Sequence, residues 1–277
     1  MKPPDRYAVM GHPVHHSRSP FIHAQFAAQC AQHMEYVALD VAPDEFNGAV
    51  RDFFRGGGKG LNLTVPHKQA GFLLADSLSE RAQRAGAVNT LLPGEGGALR
   101  GDNTDGTGLL RDLTVNLGLP LRGQRILLLG AGGAARGVLA PLLAAQPATL
   151  VIANRNADRA QRLADTFATQ FAAGATLAGG GFELAAQGGW DLIINATAAS
   201  LGGELPALAD SALQARSFCY DMAYGAQDTV FVRWARARGA RAVMGQGMLV
   251  EQAAEAFWLW RGVRPDTAPV LRAVGEP

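Results

Sequence analysis

The stretch "RILLLGAGGAARGVLAPLL" over residues 125–143 narrows the choice of fold more than any other. An apolar strand, Ile126 to Leu129, ends at Gly130, and helical periodicity takes over within a few residues. Gly130-Ala131-Gly132, with Ala135 three residues on, has the G-x-G-x-x-A form of a dinucleotide-binding turn. Gly130 permits the tight turn, Gly132 lets backbone approach a pyrophosphate, and the small Ala135 lets helix and strand pack closely. The helix that begins here offers free N–H groups and a positive dipole end to phosphates. A glycine-rich turn that only packs a helix on a strand would look the same in isolation. The strand before, the helix after and a second strand at the expected distance favour cofactor binding.

That second strand, "TLVIANRNADR" over residues 149–159, selects the cofactor. A site for NAD usually ends this strand in Asp or Glu, about 20 residues on, to bind the ribose 2′-hydroxyl. Here Asn154, Arg155 and Asn156 stand at that end, followed by Arg159. Two guanidinium groups suit a 2′-phosphate, which a carboxylate would repel, so the pattern predicts NADP. Asp158 is read as a helix N-terminal residue.

The rest of the chain repeats the same rhythm. Strand-like runs at 6–11, 35–41, 60–65, 125–130, 149–154, 191–197, 217–222 and 241–245 are separated by helix-like stretches. The helical stretches are 20–32, 44–54, 105–117, 134–145, 158–171, 229–238 and 248–261. Such alternation predicts an α/β protein with parallel sheet and helices on its faces. Gly and Pro in "NLGLPLRGQ" (116–124) punctuate the end of one helix. The expected division is a first domain of residues 1–105 with 246–277 returning to it, and a Rossmann-type domain over 106–245.

With 48% hydrophobic residues among 277, 18% charged and a formal net charge of +1, the chain can build two cores. It lacks the basic balance that a nucleic-acid or membrane-surface partner usually needs. An anionic substrate must therefore be captured by local groups. Two cysteines, Cys30 and Cys219, are too few for a disulfide framework and fit reduced thiols in a cytoplasmic enzyme. The N-terminus has no apolar core of a signal peptide, and no apolar run reaches about 18 residues. Nothing in the sequence separates a monomer from a homodimer.

A second constellation lies in "LNLTVPHKQ" (61–69), where Leu61, Leu63 and Val65 alternate with Asn62 and Thr64 before the chain delivers Lys68. Reducing a carbonyl with a nicotinamide needs a proton donor at the oxygen. A lysine supplies it when a carboxylate holds and orients the amine. Asp105 in "RGDNTDGTG" is the candidate carboxylate, and Asn89 in "GAVNTLL" is a third polar group at the end of an apolar run.

Taken with "HSRSP" (16–20), "NAT" (195–197), "YDMAYG" (220–225) and "GQGMLVEQA" (245–253), these motifs resemble the shikimate dehydrogenase family over nearly the whole chain, in order and spacing. The resemblance implies an N-terminal substrate domain, a C-terminal NADP domain and an active site in the cleft between them. It implies reversible NADPH-dependent reduction of 3-dehydroshikimate to shikimate, on the way to chorismate and the aromatic amino acids. Ser17 and Ser19 resemble the hydroxyls that bind the substrate carboxylate. Thr64, Asn89, Asp105 and Gln252 resemble the groups that read the ring hydroxyls, and Lys68 with Asp105 resembles the catalytic pair. Gly130, Ala131, Gly132, Gly133, Ala134, Ala135 and Arg136 match cofactor-lining positions, as do Asn154, Arg155, Asn156, Arg159, Thr197, Met222 and Gly245. Tyr224 matches the position where substrate and nicotinamide meet. A site of short hydrogen-bonding side chains suits a polyhydroxy acid, and the wall formed by Asn62, Thr64 and Lys68 fits that need.

Each residue has a plainer reading. Ser19 before Pro20 is a good helix N-cap, whereas Ser17 has no such local use. Asn89 fits a turn, Gln252 a solvent-facing helix position and Thr64 an ordinary strand. Alone, Lys68 is a surface lysine and Asp105 a helix cap. His12, His15 and His16 suggest a metal cluster, but no Cys or carboxylate stands at ligand spacing, so no metal is expected. The chain departs from the family pattern at three places. His12 replaces an Asn, Asn156 replaces a Thr or Ser, and "NATAAS" (195–200) replaces a run that usually ends in Gly. The last two are expected to loosen cofactor contacts. A quinate-oxidising relative, a folate-type dehydrogenase and a non-catalytic nucleotide sensor are the alternatives. Retention of both Lys68 and Asp105 speaks against the sensor.

Overall fold

A computed structural model describes residues 3–169 and 175–275. It divides into two compact units, 1–108 with 249–276 and 109–248. In the first unit the chain runs β1 (Asp5–Gly11), α1 (Ser19–Gln29), β2 (Met34–Asp40), α2 (Phe46–Arg55) and β3 (Gly58–Leu63). It continues through α3 (Lys68–Leu74), β4 (Ser77–Leu78), α4 (Glu80–Ala85), β5 (Thr90–Pro93) and β6 (Leu99–Asp102). Helix α5 (Asp105–Arg111), extended by a π turn over Asp112–Asn116, leads into the second unit.

That unit holds β7 (Arg125–Leu129), α6 (Gly133–Ala144), β8 (Thr149–Ala153), α7 (Ala157–Ala168) and β9 (Thr176–Gly180). After β10 (Leu192–Asn195) come β11 (Phe218–Asp221), α8 (Val230–Arg236) and β12 (Arg241–Met244). The long α9 (Gln246–Arg261) then returns the chain to the first unit, where α10 (Ala268–Gly275) follows. The expected helix over 158–171 runs as α7 to Ala168, and its last two residues fall outside the described ones.

The second sheet is all parallel, in the order β12-β11-β10-β7-β8-β9. Its inner strands β7, β8, β10 and β11 are buried on both faces, which explains their largely apolar runs. Ile126, Leu128, Leu150, Ile152 and Ile194 enter the core on one side, and Leu127, Leu129, Val151 and Ile193 the core on the other. Successive residues thus take opposite faces, as the two-residue strand period requires.

The first sheet, β2-β1-β3-β5-β6-β4, departs from the expectation of a purely parallel sheet. Strand β5 pairs antiparallel with both β3 and β6. The cause lies in connection length: a short loop joins β5 to β6, and a parallel crossover needs a dozen residues or more. Leu61 and Leu63 of β3 point into the core under α2, together with Ala8, Met10 and Val50. Asn62 faces the other way, toward Tyr36. Helices α1, α9 and α10 cover part of this unit through Ile22, Phe26, Val250, Phe257 and Val270. Among the described residues, no helix is long and apolar enough to cross a membrane.

Candidate active site

Strand β3 ends at Leu63, and the chain turns through Val65 and Pro66 to start α3 at Lys68. His67 fixes that turn. It is buried, stacks on Phe46 with ring centroids 4.6 Å apart, and places Nε2 2.8 Å from the Val41 carbonyl. The contact is a donation from the neutral ring, since a carbonyl only accepts; burial lowers the His67 pKa, partly offset by this bond. The next residue, Lys68, is thereby delivered inward, and its side chain is only 16% exposed.

Asp105 meets it. Lys68 Nζ donates to Asp105 Oδ2 at 2.6 Å, with the carboxylate 5% exposed. The other oxygen, Oδ1, accepts from Asn89 Nδ2 at 2.9 Å. The same Asn89 amide donates to Thr104 Oγ1 at 2.9 Å and reaches Gln252 Oε1 at 3.4 Å. Asn89 Oδ1 accepts from the Thr104 backbone N–H and the Thr90 hydroxyl, both at 2.8 Å. One amide therefore sets the rotamer of the carboxylate and links it to α9. The Asp105 N–H donates to Asn103 Oδ1 at 3.1 Å, closing the turn that opens α5.

Behind this turn lies a network that the sequence did not disclose. Arg81 grips Asp102 with Nε to Oδ1 at 2.6 Å and Nη2 to Oδ2 at 3.2 Å. Its Nη1 donates to Glu255 on α9 and to Thr107 on α5, at 2.8 and 3.2 Å. Burial alone would raise the Asp102 carboxyl, but Arg81 and Ser79 hold it below the ordinary range. Arg81 is 174 residues from Glu255 in sequence, so no local pattern could reveal the pair.

At two places the local contacts differ from the sequence expectation. Asn62 does not face open space: Oδ1 accepts from the Tyr36 hydroxyl at 2.8 Å, and Nδ2 donates to Asn89 O and Thr90 Oγ1, each at 3.1 Å. It braces the wall from behind. At α1 the capping roles are also reversed. No side chain caps the helix at Arg18; Ser17 Oγ accepts from the Ser19 N–H at 3.3 Å, and Ser19 is the buried first residue of the helix. Thr64 is half-buried just past β3, its N–H bonded to Met10 O at 2.9 Å. His12, exposed, pairs with Asp40 at 2.5 Å, and no group of three metal-ligating side chains occurs among the described residues.

In the second unit the glycine turn has the shape its sequence demands. Gly130 sits at φ +103°, where a Cβ would also meet Ala196 O at 3.1 Å. Gly132 precedes α6 in extended conformation, and the space a Cβ would take there is open. Ala135 is fully buried against the sheet. Arg136, half-buried, has an Nε with no partner among the described residues; burial, then the nearby Arg159 charge, lowers its pKa.

Arg155, just past β8, and Arg159, in the first turn of α7, are exposed, and among the described residues no ion pair to a carboxylate involves Arg136, Arg155 or Arg159. Three unpaired cations beside an open helix N-terminus fit a phosphate-bearing dinucleotide. Asn156 caps α7 by accepting from the Arg159 N–H at 3.0 Å, with Asp158 in the first turn, so the substitution at Asn156 leaves the helix start ordered. Thr197 is tied to Asn195 Oδ1 through its N–H at 3.1 Å and its hydroxyl at 2.7 Å. Met222 and Tyr224 are half-buried beyond β11, and a Cβ on Gly245 would come 2.7 Å from Met222 O.

Comparison with known proteins agrees with this geometry. Residues 9–91 match the family model described as the shikimate dehydrogenase substrate binding domain. Residues 114–201 match the shikimate / quinate 5-dehydrogenase model, and 245–274 the shikimate 5'-dehydrogenase C-terminal domain. The chain is 58% identical over 275 residues to the shikimate dehydrogenase (NADP(+)) of Methylococcus capsulatus, covering 99% of this chain and 97% of that one. The chain belongs to the shikimate dehydrogenase family.

Solved structures of similar chains give the same family frame. An Ael1 enzyme from Pseudomonas putida superposes with a TM-score of 0.88 at 47% identity, covering 99% of each chain. The shikimate 5-dehydrogenase from Thermus thermophilus, solved in complex with NADP(H) and shikimate, gives 0.85 at 35% identity and 98% coverage of each. In this shikimate dehydrogenase family member, Lys68, Asp105, Asn89 and Gln252 come together within the first unit. The residues expected to line the cofactor lie within the second.

Proposed function

We propose that this chain catalyses the reversible NADPH-dependent reduction of 3-dehydroshikimate to shikimate, a step toward chorismate and the aromatic amino acids. The observation that carries the reading is the 2.6 Å contact between Lys68 Nζ and Asp105 Oδ2 in a nearly dry setting, with Asp105 oriented by Asn89. Lys68 gives a proton to the carbonyl oxygen as it becomes the hydroxyl, and takes it back in oxidation. Asp105 holds the ammonium in place and keeps it from turning away. Thr64, Asn89 and Gln252 surround the substrate hydroxyls, Ser17 and Ser19 hold its carboxylate, and Tyr224 adds a further substrate contact. A site of polar groups that must each be satisfied rejects rings lacking those hydroxyls.

The bound nicotinamide supplies the hydride. Gly130 to Arg136 hold its pyrophosphate, Asn154, Arg155, Asn156 and Arg159 the 2′-phosphate end, and Thr197, Met222 and Gly245 the nicotinamide end. We place the protein in the cytoplasm, as a monomer or homodimer, acting on small molecules without nucleic acid or membrane. The test is cofactor reduction by the purified protein with NADP and with NAD, each offered shikimate and quinate. NADP with shikimate is expected to be fastest, and no NADP reduction with shikimate sinks the reading.

A further inference from the structure

Asp221, the last residue of β11, is 0% exposed. Among the described residues no cation pairs with it; four neutral donors converge on its carboxylate instead. Ser200 Oγ and Thr229 Oγ1 reach Oδ2 at 2.7 and 2.6 Å, and Asn195 Nδ2 and the Ala223 N–H reach Oδ1 at 3.1 and 3.0 Å. Taking an isolated carboxylate out of water costs several kcal/mol, so filling space is no reason to place one here. An aspartate earns the position only if convergence of those donors matters.

The donors come from three different segments: the end of β10 with the turn after it, the chain just beyond β11, and Thr229, which also caps α8. Asn195 passes the tie onward, because its Oδ1 accepts both Thr197 donors. Ser200 bridges the two sides of the clamp, accepting from Asn195 Nδ2 at 3.0 Å while donating to Asp221. The segments fastened in this way carry Thr197, Met222 and Tyr224.

Sheet order says which part of a ligand they would serve. With β10 and β11 on one side of β7 and β8 on the other, a pyrophosphate at the Gly130 turn sends one half of a dinucleotide over β8 and the other over β10 and β11. The β8 side holds Arg155 and Arg159. The β10 and β11 side is where the turn touches its neighbour, a Cβ on Gly130 lying 3.2 Å from Thr197 Cγ2.

We propose that Asp221 is a positioning residue for the nicotinamide half of the cofactor, locking the 195–200 turn and the 222–224 segment into one floor. This rests on the NADP reading given above. The test compares affinities measured by calorimetry on the intact chain for NADP and for adenosine 2′,5′-bisphosphate, which carries only the far half. Asp221→Asn keeps the size but turns one acceptor into a donor; Ser200→Ala removes only the hydroxyl that bridges Asn195 and Asp221, with less risk to folding.

Asp221→Asn should weaken NADP about tenfold or more and Ser200→Ala about threefold, while both leave the bisphosphate within about twofold. Equal weakening of both ligands, or NADP affinity unchanged in both variants, overturns the inference. Should Asp221→Asn fail to fold, Ser200→Ala decides alone. Wild-type protein that does not bind NADP overturns the cofactor reading and this inference with it.

Discussion

The two units treat charge in opposite ways. In the first, the largely buried Lys68, Asp105, Asp102 and Glu255 each have an ionic partner close by. In the second, Arg136, Arg155 and Arg159 face no carboxylate among the described residues, and the buried Asp221 faces no cation. A cationic cluster without its counter-charge points to a ligand that brings the charge. A dry ion pair whose carboxylate is oriented by an amide points to a proton that must be held and moved. The contrast separates the unit that we read as handling the proton from the one that we read as handling the dinucleotide.

The strongest way to break that contrast is at the pair itself. Lys68→Ala should lower kcat by about 10²–10⁴-fold while changing KM for shikimate far less. A thermal melt on the same sample shows whether the uncompensated Asp105 has loosened the fold. Near-wild-type kcat in a folded variant removes Lys68 from proton transfer.

Next in size is the cationic side. If Arg155 and Arg159 each give charge-assisted bonds worth ~1.5–3 kcal/mol, together they supply a preference of about a hundredfold or more for NADP over NAD. Arg155→Asp should raise KM for NADP and narrow or reverse that preference, since a carboxylate repels the phosphate and accepts from a free 2′-hydroxyl. An unchanged NADP KM removes Arg155 from that role.

Acid sharpens the comparison by acting on the units with opposite signs. His23 is fully buried among Phe26, Tyr36, Phe257 and Trp260, and among the described residues neither ring nitrogen has a hydrogen-bond partner. Burial pushes its pKa down to about 3, offset in part by the Asn62 amide, which approaches without reaching hydrogen-bond geometry. The unfolded chain takes up that proton near pH 6.5 and the native chain does not, so stability falls as pH drops from about 6.5 toward 3. The slope is about 1.4 kcal/mol per pH unit, and His67 adds to it with the same sign.

Asp221 runs the other way. Burial raises its pKa, so the native state binds the proton more readily than the unfolded one and gains from acid. His23→Leu should remove about one proton's worth of slope from unfolding free energy measured between pH 6.5 and 4.5. A slope equal to that of the wild type would show that His23 is not the group responsible.

The smallest expected effect is at substrate capture. Ser17→Ala should weaken shikimate binding by about 0.5–3 kcal/mol and leave NADP affinity unaltered. Its hydroxyl also accepts from the Ser19 N–H, so a melting shift with an unchanged shikimate Kd would assign it to the turn alone.

What the amino-acid sequence reveals follows the same division. Strands β7, β8 and β10 announce themselves because both faces are buried and nearly every residue is apolar. Strands β5 and β6 do not: each has four residues, one carries Pro93 and the other Gly101, and their antiparallel pairing leaves no helical crossover between them to mark the chain. Lys68, Asp105 and Asn89 were legible as separate polar residues at element ends, but their convergence depends on contacts across the sheet. Asp221 lies within the quoted YDMAYG motif, yet nothing in the sequence assigns it a role, since its four donors are spread over 195–229 and only the fold gathers them.

The unpaired arginines around the glycine turn carry a practical consequence for anyone handling this protein. If, as we propose, these arginines hold the cofactor's phosphates, they should not distinguish them from phosphate dissolved in the buffer. On that reading, sulfate or inorganic phosphate at tens of millimolar should compete for the same ground and screen what it does not occupy. Affinities for NADP measured in such buffers should then fall below those measured in chloride-based amine buffers at low ionic strength.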